Sequence, residues 1–281
     1  MHIKINFSGV FSGVPFEEDS TISHIISYIL QKNDVPSSYA QYCVILQVGA
    51  DKFGYPLSPT DLVRNHQDSA LHFRIIRFPE SLDDVDEHFQ ELMQNQIHKM
   101  VISASYWVDQ KTAVRLAARV CCAVFGPYHN QQFGFLTKTL SQLVPHQYSS
   151  DEVENYILTE WQTLQLNVNP VSLYLTEFVT NIQYGYVPFS ARLEQQPVRI
   201  LFGPKMILLF SQKGEIMDWI EPEKVAFPAE MRTDVVFSGQ KEWKAEMNGC
   251  KAVKEIQRVI IGGYVKPEEI QKKKFSFSGI L

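Results

Sequence analysis

The chain has 281 residues, of which 45% are hydrophobic and 12% are aromatic, enough to fill several cores and to exclude a largely disordered chain. Its formal net charge of −5 argues against nucleic acid as the main partner. The charge is −1 over residues 1–79, −7 over 80–185 and +3 over 186–281, so only the last third could offer a basic face to an anionic surface.

Residues 1–79 predict a small β-grasp domain. Alternating apolar residues predict a strand pair within residues 1–16 and further strands between residues 42 and 78. The one helix of this region begins near Thr21, and its apolar stripe consists of Ile22, Ile25, Ile26, Ile29 and Leu30. The pattern alone also fits any α+β domain in which one helix packs on a mixed sheet.

Residues 80–185 predict a helical lobe. The central helix is bounded by Asp109, a candidate N-cap, and by Gly126-Pro127. The three- and four-residue spacing of its apolar residues predicts a buried stripe of Ala113, Leu116, Ala117, Val120, Cys121 and Val124. Further helical patterns cover residues 83–102, 133–143, 151–164 and 171–182.

Residues 186–270 predict a seven-stranded sandwich or barrel that is closed by one helix. The strand patterns cover residues 189–193, 198–202, 206–210, 215–220, 224–227, 232–237 and 243–247. The closing helix is expected over residues 251–261, and a tail follows over residues 271–281. Seven strands and a C-terminal helix are the pleckstrin-homology and phosphotyrosine-binding architecture. The whole chain is therefore expected to be a multidomain α+β protein with three lobes.

Several stretches carry a resemblance to a known family in the same order as these lobes. They are FRIIRFPESL, KTAVRLAARVCCAVFGPY, LTKTLSQLVPHQY, YLTEFVTNIQYGYVPF and LLFSQKGEIMDWIEPEKVAF. With them the chain resembles the FERM module, whose ubiquitin-like, acyl-CoA-binding-like and pleckstrin-like lobes come in this order. The stretch from FGPYHNQQFGFL to LVPHQY is most similar to talins and to the FERM modules of myosin tails.

The resemblance implies a function without catalysis. FERM adaptors link cytoplasmic tails of membrane proteins, and phosphoinositide lipids, to cytoskeletal proteins, and they lie in the cytoplasm at the membrane or cytoskeleton. Two alternatives stay open. The chain could be a cargo-binding or autoinhibitory module of a cytoskeletal motor or scaffold, or the regulatory module of a signalling enzyme.

Signals of catalysis, metals or cofactors are mostly absent from the sequence. No phosphate-binding glycine loop, zinc-protease motif or nucleophile elbow occurs. The four cysteines, Cys43, Cys121, Cys122 and Cys250, have no paired spacing, so neither a disulfide framework nor a zinc site is predicted. We expect no catalytic residue, metal or cofactor. No apolar run reaches about 18 residues, and the N-terminus lacks a signal-peptide pattern.

Two binding surfaces are predicted in the third lobe. Relatives of this fold add a peptide strand between the fifth strand and the closing helix, which the resemblance places at Lys224, Val225, Ala226, Phe227, Ile256, Val259, Ile260 and Gly263. The inward-facing half of these residues equally fits a hydrophobic core, and Pro228 shortens the strand's free edge.

The second predicted surface is basic and would meet phosphoinositide headgroups. It consists of Lys241, Lys244, Lys251 and Lys254. A solvated helix face fits these lysines equally well, because Glu242, Glu246 and Glu255 lie among them. By resemblance, Lys4, Lys52 and Arg64 of the first lobe could also face a headgroup.

Overall fold

The computed structural model contains three lobes in the order β-rich, helical, β-rich. It describes residues 1–7, 10–48, 54–164, 168–181, 183–193, 195–203, 205–211, 213–226, 234–239, 242–246 and 250–262. The predicted fold class, a multidomain α+β chain with three lobes, is confirmed.

The first lobe is a five-stranded sheet covered by one helix. Its elements are β1 (His2–Phe7), β2 (Val10–Pro15), α1 (Ile22–Lys32), β3 (Cys43–Val48), β4 (Gly54–Pro56) and β5 (Ala70–Ile75). The strand order is β2-β1-β5-β3-β4, with β1 and β5 parallel and the other pairs antiparallel. The five predicted stripe residues of α1 are all buried. This is the predicted β-grasp.

The second lobe contains four α-helices. They are α2 (Glu87–Ile102), α3 (Gln110–Phe125), α4 (Asp151–Thr163) and α5 (Pro170–Val179). Each helix starts after a residue whose side chain accepts a hydrogen bond from a backbone N–H of the first turn, and these caps are Asp86, Asp109, Ser150 and Asn169. Because Asp86 is the cap, α2 begins four residues later than the predicted start at residue 83.

Two predictions for the second lobe were wrong. Residues 133–143 form turns and a short 3-10 helix at Leu140–Gln142 instead of an α-helix. Gly134 has a φ of +96°, which a right-handed helix cannot contain, and Glu154 binds the adjacent backbone N–H groups. Val124 is 67% exposed and Val120 is partly buried, so the buried part of the predicted stripe is Ala113, Leu116, Ala117 and Cys121.

The third lobe is a seven-stranded antiparallel sheet with one helix. The elements are β6 (Val187–Leu193), β7 (Gln196–Phe202), β8 (Ile207–Ser211), β9 (Ile216–Ile220), β10 (Val225–Ala226), β11 (Asp234–Ser238), β12 (Glu242–Glu246) and α6 (Cys250–Gly262). The order is β10-β11-β12-β6-β7-β8-β9. Lys224 was predicted in a strand, but it ends a 3-10 turn, Pro222–Lys224, because Pro222 starts that turn.

Glutamine side chains join segments that are distant in sequence. The amide of Gln96 in α2 accepts from the Ile75 N–H at 2.9 Å and donates to the Ile75 C=O at 2.6 Å. Ile75 lies at the end of β5, just past the residues of that strand that pair with β1. Gln183 makes the same pair of bonds with Trp107. Two amides thereby complete the backbone hydrogen bonding of buried segments.

Packing also connects the third lobe to the other two. Leu201, Leu208 and Phe210, on β7 and β8, belong to the same hydrophobic cluster as the helical lobe. The turn between β8 and β9 meets Trp107 so closely that a Cβ on Gly214 would lie 2.1 Å from the indole ring. The second core cluster lies inside the third lobe, between its strands and α6.

Candidate protein-binding surfaces

The predicted peptide groove lies between β10 and α6. β10 is an edge strand and, among the described strands, pairs only with β11. Gln257 of α6 is buried and donates to the Pro222 C=O at 3.1 Å, which ties the helix to the turn before β10. The turn before β10 is therefore held against α6, and β10 has a free edge among the described strands.

The side chains predicted for this groove differ in how accessible they are. Ile256 and Ile260 are buried in the core of the third lobe, with Ile260 2% exposed. Val225 and Val259 are partly buried, and Lys224 is exposed and paired with Glu221 at 2.9 Å. Phe227 and Gly263 lie outside the described residues, as does the side chain of Ala226.

An arginine from the first lobe fixes the end of α6. The Nη2 of Arg77 donates to the carbonyl oxygens of Val259 at 3.2 Å and Ile260 at 3.0 Å. These carbonyls lie in the last turn of the helix, where a cation is favourable because intrahelical partners are lacking. Leu46 of the first lobe also packs against the core of the third lobe. The helix that borders the groove is thus anchored from outside its own lobe.

The predicted basic face is partly described. Lys254 is exposed on α6, and Arg258 follows one turn later with its side chain 81% exposed and 3.8 Å from Glu255. Positions 251, 254 and 258 fall on one side of a helix, so Arg258 extends the basic face that was predicted from Lys251 and Lys254. Lys241 lies outside the described residues, as do the side chains of Lys244 and Lys251.

The first-lobe cations proposed by resemblance do not share one environment. Lys4 is exposed on β1, and Arg64 pairs with Glu18 at 3.2 Å on the surface. Lys52 lies outside the described residues. An exposed ion pair of this kind is worth less than about 1 kcal/mol, so Arg64 is not locked in place.

The described residues give little support to nucleophilic or metal chemistry. Burial raises the pKa of the Cys121 thiol to about 12 and raises the pKa of Cys43 further, so both stay protonated at neutral pH. Within the described parts of the chain, no three His, Cys, Asp or Glu side chains come together as metal ligands would.

Sequence reasoning missed an exposed aromatic surface on the helical lobe. Phe125, Phe133 and Phe135 are exposed, and the rings of Phe125 and Phe135 lie edge to face at 5.3 Å. Glu154, fully buried, accepts from the Gly134 and Leu136 N–H groups and from the Thr137 hydroxyl, at 2.7–2.9 Å. The only sequence signal was the loop FGPYHNQQFGFL, which is rich in Gly, Pro, Asn and Gln.

Comparison with known proteins supports the fold of the chain and assigns its helical lobe. A family model for the FERM central domain matches residues 80–184, the helical lobe. The fold of the whole chain matches the complex of the FERM and C-terminal domains of Drosophila merlin, with a TM-score of 0.71 at 12% identity over 100% of both chains. The chain has the FERM fold. Its helical lobe belongs to the FERM central-domain family.

Myosin tails provide further FERM structures of the same shape. The human myosin 7b C-terminal MyTH4-FERM domain, in complex with the harmonin-a PDZ3 domain, matches with a TM-score of 0.72 at 15% identity over 91% of this chain. The Dictyostelium discoideum myosin VII MF2 MyTH4-FERM domain matches with a TM-score of 0.65 at 14% identity over 92% of this chain. This FERM chain spans only 59% and 58% of those two chains.

FERM domains are protein-interaction modules, and two of these three structures hold a partner domain. None of the curated proteins matches the chain by sequence. Among the described helices, none is long and apolar enough to cross a bilayer.

Proposed function

We propose that this FERM chain is a non-catalytic adaptor that binds the cytoplasmic tail of a membrane protein and links it to the cytoskeleton. The observation that supports this most directly is the edge position of β10 beside α6. An extended peptide that pairs with this edge would gain backbone hydrogen bonds, and the side chains of α6 and Val225 would select among sequences.

Proline substitutions at the two residues of β10 test this site. Neighbouring residues of a strand direct their N–H groups to opposite sides, so one of Val225 and Ala226 donates toward β11 and the other toward the free edge. We expect one of Val225→Pro and Ala226→Pro to lower the melting temperature. The other should keep the fold and weaken peptide binding by about tenfold.

The measurement is fluorescence anisotropy with the tightest binder from a synthetic library of cytoplasmic-tail peptides. Each proline variant is the control for the other, because the two differ only in which side of the strand loses its N–H. If the variant that keeps its melting temperature binds the peptide as tightly as the wild type, the peptide does not pair with β10.

We further propose that the basic face of α6 binds phosphoinositide membranes. Reversing two lysines, Lys251→Glu with Lys254→Glu, should weaken binding to vesicles by about thirtyfold or more, since each basic residue near an anionic surface contributes about 1 kcal/mol. The measurement is co-sedimentation at low salt with phosphatidylcholine vesicles that contain phosphatidylinositol bisphosphate. The matched control, Lys111→Glu with Lys138→Glu, changes the net charge equally on the helical lobe, where both lysines are exposed. Equal losses in the two double variants would contradict a specific lipid face.

A second candidate is a partner-binding module of a cytoskeletal motor. The matches to two myosin MyTH4-FERM structures support it. Sequencing the full-length transcript distinguishes the candidates. A coding region for a motor and a MyTH4 domain upstream would favour the motor, and an upstream kinase or phosphatase would favour a regulatory module.

A further inference from the structure

A cavity lies where all three lobes meet. Its walls come from the segment after β5, from the segment that follows α5, and from α6 and the residues before β8. Its volume is about 560 Å³. Sites for small molecules commonly occupy 300–1,000 Å³, lie between domains and combine an apolar lining with a few polar groups. The cavity has each of these properties.

The aromatic walls of the cavity are held in place by contacts outside it. The rings of Phe78 and Tyr184 lie 5.5 Å apart, and the Tyr184 hydroxyl donates to the Pro79 C=O at 2.9 Å. The ring of Tyr186 packs so tightly on Gly203 that a Cβ there would lie 2.4 Å from it. The Tyr106 hydroxyl donates to the Tyr186 C=O. These contacts restrain the aromatic walls, so the space between them is preformed.

The charges around the cavity favour an anion. Arg77 lines it, and its Nη2 bonds to α6 leave the other guanidinium N–H groups uncommitted among the described residues. Lys205 stands beside Glu80 at 3.4 Å, with both side chains at least 80% exposed. Such an exposed ion pair contributes less than about 1 kcal/mol, so an anionic ligand can replace Glu80 as the partner of the Lys205 ammonium group.

The phenols of Tyr184 and Tyr186 add no negative charge to the lining. Burial raises the pKa of both Tyr184 and Tyr186, so each stays a neutral hydroxyl at and above neutral pH. Among the described residues of the lining, Glu80 is the only anionic side chain, against the two cations Arg77 and Lys205, and it is exposed. The apolar remainder is formed by aromatic rings and by aliphatic residues such as Val179.

We propose that this cavity binds a small amphipathic anion, with its apolar body between the aromatic rings and a carboxylate or phosphate group near Lys205 and Arg77. A preformed apolar space takes the body, and the two cations orient the anionic end. Because the walls belong to three lobes, a bound molecule also stabilises their arrangement, by an amount that grows with its concentration relative to its Kd.

Calorimetric titration of the whole chain with dodecanoate and dodecyl phosphate, both below micelle formation, tests the proposal. We expect at least one of them to bind at one molecule per chain, and dodecylamine, which has the same body and the opposite charge, to bind at least tenfold more weakly. Binding of dodecanoate alone would assign a carboxylate ligand, and binding of dodecyl phosphate alone a phosphate ligand. Absence of binding by both, or equal binding of dodecylamine, would overturn the proposal.

Two variants locate the site. Lys205→Glu should weaken binding of the anion at least tenfold. Lys213→Glu makes an equal charge change at an exposed residue outside the lining and should not weaken it. Val179→Phe places a ring in the cavity and should abolish binding of the apolar body. Binding that survives both Lys205→Glu and Val179→Phe would show that the molecule binds elsewhere, and a melting temperature unchanged in Val179→Phe confirms that the fold is kept.

Discussion

Replacing Glu154 by alanine should lower the free energy of unfolding by about 4 kcal/mol. The carboxylate is fully buried and accepts three hydrogen bonds, from the N–H groups of Gly134 and Leu136 and from the Thr137 hydroxyl. The Leu136 N–H belongs to a buried residue, where a donor that loses its partner costs about 1–3 kcal/mol, whereas the bonds from the exposed Gly134 and Thr137 contribute about 0.5–1.5 kcal/mol each. The measurement is urea unfolding followed by tryptophan fluorescence, to which Trp161 contributes from a position 6.2 Å from the ring of Phe135.

Glu154→Gln is the matched control for this prediction. The amide oxygen can keep both backbone N–H bonds at Oε1, and the amide nitrogen can donate to the Thr137 oxygen. We therefore expect a loss of about 1 kcal/mol, from the weaker neutral acceptor. Equal losses in the two variants would mean that packing, rather than hydrogen bonding, accounts for the effect. The alanine variant should also loosen the exposed rings of Phe133 and Phe135, which this loop displays.

Gln96→Leu should destabilise the chain by about 3 kcal/mol. Leucine fills nearly the same space, but it leaves the Ile75 N–H and C=O without partners in a buried position. Those groups lie on β5 at the contact between the first and second lobes, so this loss acts on the docking of the two lobes. Differential scanning calorimetry measures the unfolding temperature of the first lobe, which should be lower than in the wild type.

Gln94→Leu, on the same helix, is the control. Gln94 is 6% exposed and makes no hydrogen bond to another described residue, so its replacement should change the melting temperature little. A comparable loss in both variants would show that any polar-to-apolar change in α2 destabilises the lobe. That outcome would contradict a specific role of the Gln96 amide.

The sequence predicted features that depend on neighbouring residues. Asp109 is the cap of α3, as its position before an apolar stripe indicated, and the stripe of α1 is buried in full. The prediction failed at residues 133–143 because the apolar spacing there resembles a helix, whereas Gly134 has a positive φ and Glu154 binds the chain. Glu154 was one of several acids on a helix, and no local pattern separates a buried carboxylate from a solvated one.

By itself, then, the sequence determined the order of the three lobes, the cap of α3 and most strands, since each depends on residues within a few positions of one another. Tertiary structure decided which of these surfaces stay open. The Arg77 contact with α6 joins residues more than 180 positions apart, and the three-lobe cavity likewise exists only after docking. Burial of Ile260, exposure of Phe133 and a shared cavity follow from how the lobes pack, and packing between distant segments is not encoded in any local spacing.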